Sequence, residues 1–112
     1  MDAQIKKGLL DVCVLACLVD EDNYGYQIIK DVNAVVAISE GTLYPVLKRL
    51  EHLKFLTTYE IAYNGRLRKY FKITENGMQK LKEFDKEQEG LIRVYEYISS
   101  KIKSNGKGGS DE

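Results

Sequence analysis

Three observations predict a mainly α chain with one small β-hairpin. Apolar residues recur at helical spacing through three successive segments between Ala3 and His52. Two runs rich in β-branched and aromatic residues then flank Asn64-Gly65, the strongest short signal for a two-residue hairpin turn. From Leu81 onward the apolar residues step by three and four, which predicts a long final helix.

The first helix is expected from about Ala3 to Val19. Ile5, Leu9, Val12, Cys13, Ala16 and Leu18 lie at helical spacing, and Leu10, Val14 and Leu15 fill other faces. A helix apolar nearly all round is buried on several sides, and a partner subunit can supply one of them. Asp20, Glu21 and Asp22 suit the positive start of a second helix, expected from Tyr24 to Asn33 with Ile28, Ile29 and Val32 inward. Gly25 near its start permits a close backbone approach.

Ser39 is a good N-cap for a third helix ending near His52. Thr42 is a second candidate, because Pro45 fits best within a first turn. Leu43, Val46, Leu47 and Leu50 form the inward stripe. Tyr44, Lys48, Arg49 and Glu51 lie on or beside the outward face, although Arg49 can instead run along the domain surface. In the second hairpin strand, alternation puts Leu67, Phe71 and Ile73 on one face and Arg66, Arg68, Tyr70 and Lys72 on the other. Lys69 is the one charge on the apolar side, near enough to the hairpin tip to escape burial.

Thr74 caps the final helix, with Glu75 in its first turn. The seam Leu81, Phe84, Gln88, Leu91, Tyr95, Ile98, Ile102 is narrow, as in a coiled coil. It can pack back on its own core or, the preferred reading, on a second chain. The expected organisation is one compact domain over 1–74, a dimerisation helix over 75–103 and a disordered tail over 104–112.

The net charge is zero, but its distribution is uneven. Residues 1–35 sum to −3, residues 36–74 to +4 and residues 75–112 to −1. The positive field of the middle third attracts polyanions over a Debye length of roughly 8 Å at physiological salt. Ile61 to Thr74 holds four basic residues and no acid.

Other chemistries find little support. Cys13 and Cys17 lie four apart on one helix face, which is poor disulfide geometry, and His52 is the only histidine. No metal or other cofactor is therefore expected. No nucleophile with a base, carboxylate pair or Gly-rich phosphate loop points to an enzyme. The longest apolar run, Val12 to Val19, is too short to cross a bilayer, and there is no basic leader with a cleavage site, so a cytoplasmic location without membrane contact is expected.

Three helices followed by a hairpin is the order of a winged helix-turn-helix domain, whose third helix enters the major groove while the wing follows the backbone or minor groove. Thr42 and Tyr44 place hydroxyls at the helix start, where backbone N–H groups also suit phosphate. The rival reading is a winged-helix module that binds protein without DNA. It calls for an exposed apolar stripe on the third helix, which Tyr44 alone does not make.

Three motifs carry a family resemblance. They are Tyr24-Gly25-Tyr26-Gln27-Ile28, then Glu40-Gly41-Thr42-Leu43-Tyr44-Pro45 with Leu47-Lys48-Arg49-Leu50-Glu51, then Gly65 with Arg68-Lys69-Tyr70-Phe71, Ile73-Thr74 and Gly77. Together they resemble the PadR family of bacterial transcriptional regulators, in its compact branch with a single short C-terminal helix. The resemblance implies a homodimer, held by the last and first helices, that represses transcription at a near-palindromic operator in double-stranded DNA. It also implies a small aromatic or drug-like effector at the dimer interface that loosens DNA binding.

By motif match, the DNA-facing residues are Ser39, Thr42, Tyr44 and Lys48 on the third helix and Arg66, Arg68 and Lys69 on the wing. The dimerisation residues are Ile5, Leu9, Phe84, Gln88, Leu91, Tyr95 and Ile98. Tyr24 and Tyr26 match the second-helix motif, with packing against the third helix as their simpler role. Gly41 is expected to serve a close approach. The chain departs from the family pattern twice. Lys54 stands where a helix-closing Gly is usual, so it must either adopt the left-handed conformation or end the helix differently. Trp is absent from the last helix, and Gln88 falls about where a ligand-stacking Trp is common.

Overall fold

A computed structural model of the chain describes residues 3–108, with side chains described for 8–105. The elements run α1 (Ala3–Ala16), β1 (Asn23–Tyr24), α2 (Gly25–Asn33), α3 (Glu40–His52), β2 (Leu56–Tyr63), β3 (Arg66–Ile73) and α4 (Glu75–Gly108). The chain divides into two units, one ending at Lys82 and one beginning at Glu83. The first unit is a winged helix: three helices on a small antiparallel sheet of order β1-β3-β2.

The core of this unit is the inner stripe of each helix. Leu15 and Leu18 from the first helical segment meet Ile28 and Val32 of α2 and Leu43, Leu47 and Leu50 of α3, all essentially inaccessible to solvent. Leu56 and Phe71 close it from the sheet. Withdrawing each such Leu or Ile from water is worth about 2 kcal/mol, so these stripes decide how the helices pack.

The helix ends follow from specific side chains. Ser39 is the N-cap of α3, its Oγ accepting from the Thr42 amide at 3.3 Å. Thr42 is thus inside the helix, and Pro45 stands in its second turn, where it has no N–H to offer the Gly41 carbonyl. Between α2 and α3, Asn33 Oδ1 accepts from the Ile38 amide at 2.8 Å and stabilises the turn of the helix pair.

Lys54 adopts the left-handed conformation, with φ of 69°. Its amide donates to Glu51 O at 3.0 Å and the Phe55 amide donates to Leu50 O at 2.9 Å. Those two bonds are the full Schellman closure, reached without the glycine that makes it cheap. Thr74 then ties this corner to α4. Its hydroxyl donates to Lys54 O at 2.7 Å, its amide donates to Phe55 O at 3.1 Å, and its Oγ1 accepts from the Gly77 amide at 3.0 Å.

Asn64 and Gly65 both have positive φ, 51° and 77°, as a two-residue hairpin turn requires. β2 and β3 pair throughout, from Leu56↔Ile73 to Tyr63↔Arg66. On the inward face of β3, Phe71 is buried and Ile73 half-buried. Leu67, expected on the same face, is 66% exposed because the hairpin projects past the core.

Several expectations are corrected. Asn23 and Tyr24 form a strand that pairs with Phe71 and Tyr70, so α2 starts one residue later than expected. The acids of residues 20–22 precede that strand and none lies in the first turn of α2. The first helix ends at Ala16, not Val19. The first compact unit runs to Lys82, with Leu81 packed against the core and Gly77 pressed against Phe55. α4 also runs to Gly108, through residues expected to be a disordered tail, while 109–112 lie outside the described residues. Gly41 has no neighbour close enough to exclude a side chain.

In the second unit, α4 continues with Leu91, Tyr95, Ile98 and Ile102 between 50% and 67% exposed. Phe84 and Gln88 are half-buried, as is Leu9 on α1. The side chain of Ile5 lies outside those described.

Candidate nucleic-acid interface

The outward face of α3 begins with a compact hydroxyl pair. Ser39 Oγ and Thr42 Oγ1 stand 3.2 Å apart and both residues are exposed. Ser39 spends one lone pair on capping, which fixes its side chain in place at the helix start. One turn on, Tyr44 is 49% exposed, with its ring laid against Gly25 of α2. This is the close approach expected at Gly25, made by a side chain and not by backbone.

Lys48 is exposed beside Tyr44, and the two share a shallow groove with Leu47, Glu51, Lys69 and Phe71. The groove lies between α3 and the wing, so the helix and the hairpin present one continuous surface. Arg49 is not part of it. Its guanidinium forms an ion pair with Asp11 and links α3 to α1.

The three wing cations occupy different environments. Arg66 is fully on the outside, next to the hairpin turn. Lys69 escapes burial as expected, and strand alternation turns it toward α3, where its Nζ lies 3.8 Å from Glu51 Oε1. Glu51 Oε2 also accepts from Thr58 Oγ1 at 3.2 Å, so this carboxylate joins α3 to both wing strands. Arg68 lies between two rings, its Cζ 4.1 Å from the centroid of Tyr24 and 3.8 Å from that of Tyr63.

Arg68 belongs to an aromatic cluster on the outer face of the sheet. Tyr70 stacks on Tyr59 at 5.6 Å and meets Tyr24 edge-on at 5.7 Å. The Tyr59 hydroxyl donates to Asp22 Oδ2 at 2.6 Å, and this bond, with burial second, pushes the Tyr59 pKa up to about 12. Tyr24 therefore packs on the wing. Its partner in the family motif, Tyr26, is exposed, with the Lys30 ammonium 5.7 Å from its ring centroid. The period-two placement of Tyr59 and Tyr63 and of Arg68 and Tyr70 was the sequence signal for this cluster. The contribution of Tyr24 depended on a strand of two residues.

The cysteines are unsuited to redox or metal chemistry. Burial, then the charge of Asp31, pushes the Cys17 thiol up to about 12, and its Sγ donates to Val14 O at 3.1 Å. Burial raises Cys13 as well. Among the described residues no group of three or more His, Cys, Asp or Glu could hold a metal ion, and no helix is long and apolar enough to cross a membrane.

Residues 14–83 match the model of the transcriptional regulator PadR-like family. The chain belongs to the PadR-like family of transcriptional regulators. An uncharacterised protein of Lysinibacillus sphaericus is 35% identical over 91 residues, covering 76% of this chain and 83% of that one. The crystal structure of a PadR-like transcriptional regulator from Bacillus cereus is similar at 30% identity and a TM-score of 0.75, covering 86% of this chain and 96% of that one. Bacillus subtilis PadR, crystallised in complex with operator DNA, shares the fold at 22% identity and a TM-score of 0.63, over 68% of this chain and 46% of that one. The family is one of regulators and not of enzymes. In this PadR-like chain the three resemblance motifs map onto three contacts of the first unit: the start of α2 against Tyr44, the outward face of α3, and the strand β3 that carries the wing cations.

Proposed function

We propose that the protein is a cytoplasmic, homodimeric, sequence-specific DNA-binding regulator that represses transcription at a near-palindromic operator. The observation that carries this reading is the continuous polar and cationic surface running from the start of α3 across the groove to the wing. In that arrangement Ser39, Thr42, Tyr44 and Lys48 enter the major groove with α3, where base edges are distinguishable. Arg66 grips phosphate beside it, and Lys69 does so when the phosphate competes with Glu51 for its ammonium.

A palindromic site needs a two-fold protein. The exposed stripe Leu91, Tyr95 and Ile98 of α4, continued by Gln88 and Phe84, supplies a face for a second copy. Such a seam buries a hydrophobic strip that would otherwise face water on each chain. An effector that loosens DNA binding would be a small aromatic molecule held at that dimer interface, where Tyr95 and Phe84 stand in for the missing Trp.

The test is a gel-shift titration on the DNA just upstream of the gene, at two salt concentrations. Specific retardation that weakens steeply with salt supports the reading. Equal affinity for that DNA and for random duplex contradicts sequence specificity.

A further inference from the structure

We propose that Arg68 is a positioning residue, which fixes the wing to the start of α2 through the rings of Tyr24 and Tyr63 and thereby sets the angle between wing and recognition helix. The inference rests on the DNA-binding reading above and refines the part played by one of its residues.

The geometry is specific. Arg68 is on the central strand of the sheet. Tyr24 is on β1 and Tyr63 is on β2, each diagonal to Arg68 in the register that pairs Tyr24 with Tyr70 and Tyr63 with Arg66. Diagonal neighbours stand far enough apart for a guanidinium to enter between two rings. Its Cζ lies 4.1 Å from one ring centroid and 3.8 Å from the other, so one side chain links all three strands. Arg66, two residues away, has no such cover and remains exposed.

What the clamp holds is the joint that places the interface. β1 is only two residues long, so its own ladder is weak. The segment that contains it is clasped to the wing by Arg68 on one side and by Asp22 accepting from Tyr59 on the other. Gly25 follows directly, and the Tyr44 ring of α3 rests on it. Beside the direct link through Glu51, a second path from wing to recognition helix therefore runs Arg68, Tyr24, Gly25, Tyr44. An arginine used this way contributes to DNA affinity through geometry. One used as a phosphate ligand contributes through charge, and the two leave different salt signatures.

The test has two arms on the full chain. In the free protein, the Arg68 Hδ and Hε protons should show upfield ring-current shifts that Tyr24→Leu and Tyr63→Leu each reduce. Arg68→Met should raise amide hydrogen exchange in Asn23 and Tyr24. Unshifted Arg68 protons, or unchanged exchange, overturn the proposal whether or not the protein binds DNA. On duplex DNA, Arg68→Met should lower specific affinity severalfold while the slope of log K against log salt changes by less than about 0.3. The slope change expected for losing a phosphate ligand is about 0.9. Tyr24→Leu should reproduce the loss, and the double variant should be no worse than either single one. A slope change near 0.9 for Arg68→Met, with full rescue by Arg68→Lys, makes Arg68 a phosphate ligand and overturns the proposal. Wild-type protein with no duplex binding contradicts the DNA-binding reading itself, and the free-protein arm still decides the clamp.

Discussion

The hydroxyl of Tyr44 lies 2.8 Å from where a Cβ on Gly25 would stand, and ring carbon Cε1 lies 3.0 Å from it. Gly25 thus seats a side chain of α3 on the first residue of α2. The atoms in conflict are the far end of a movable ring, so an alanine there displaces Tyr44 without breaking the core. Gly25→Ala should change folding stability by less than about 1 kcal/mol, because alanine also favours the helix. It should lower affinity for a specific operator severalfold and leave random duplex unaffected. Urea denaturation and a binding titration on both DNAs check the two halves of this prediction.

Lys54 shows the opposite relation between backbone and side chain. With φ at 69° it bears a left-handed strain of about 1 kcal/mol or more that a glycine avoids. Lys54→Gly should raise stability by about 0.5–1 kcal/mol, the gain being trimmed by the greater freedom of glycine in the unfolded chain. Lys54→Val should lower it. The midpoint of urea unfolding reads both, and a Lys54→Gly variant less stable than wild type would contradict the strain argument.

Gly77 guards the same corner by space. A Cβ there would stand 2.4 Å from the Phe55 carbonyl oxygen and 2.6 Å from Ile73 Cγ1. The backbone carbonyl is already engaged by the Thr74 amide and cannot swing aside cheaply. Gly77→Ala should destabilise the first unit by about 2 kcal/mol, the range of other overpacked sites, as measured by denaturant unfolding.

Much of this architecture was legible in the sequence, and the reasons are local. Asn64-Gly65 announces its turn because both residues need positive φ. Ser39 and Thr74 announce helix starts because their hydroxyls cap nearby amides. The stripes of α2 and α3 follow from spacing alone. The features that escaped depend on distant partners. A two-residue strand at Asn23 is visible only once β3 lies beside it. Lys69 reads as a free wing cation until Glu51, eighteen positions earlier in the chain, is brought to 3.8 Å. Arg68 reads as an isolated wing cation until the fold brings the rings of Tyr24 and Tyr63 to 4.1 and 3.8 Å from its Cζ. Gly, Ser and charge after Lys103 suggested a tail, yet the helix continues to Gly108.

Tyr59 should be distinguishable among the eight tyrosines by titration. Its folded pKa is raised to about 12 from an ordinary value near 10, chiefly by donation to Asp22. The sign follows from linkage. The contribution of this bond is fully present below pH 10 and is lost as pH rises toward 12. Absorbance at about 295 nm, where tyrosinate absorbs, should show a late-ionising tyrosine that disappears in Tyr59→Phe. Asp22→Asn should move that step to lower pH.

The stripe on α4 bears on assembly. Ile98 is 50% exposed, between Tyr95 and Ile102 on the seam. Sedimentation at micromolar concentration should give a dimer for wild type and a monomer for Ile98→Asp, because a carboxylate in an apolar seam is costly to desolvate. A wild type already monomeric under those conditions would contradict the dimer seam.

The most direct measurement of the central proposal is the salt dependence of DNA binding by wild type, Arg66→Ala and Tyr44→Ala, each on the upstream DNA and on random duplex. Wild type should weaken steeply with salt, and Arg66→Ala should reduce the slope by about 0.9 on both DNAs. Tyr44→Ala should lose affinity only on the upstream DNA, at unchanged slope. Wild-type binding insensitive to salt, or a Tyr44→Ala loss equal on both DNAs, would contradict the assignment of α3 as reader and the wing as grip.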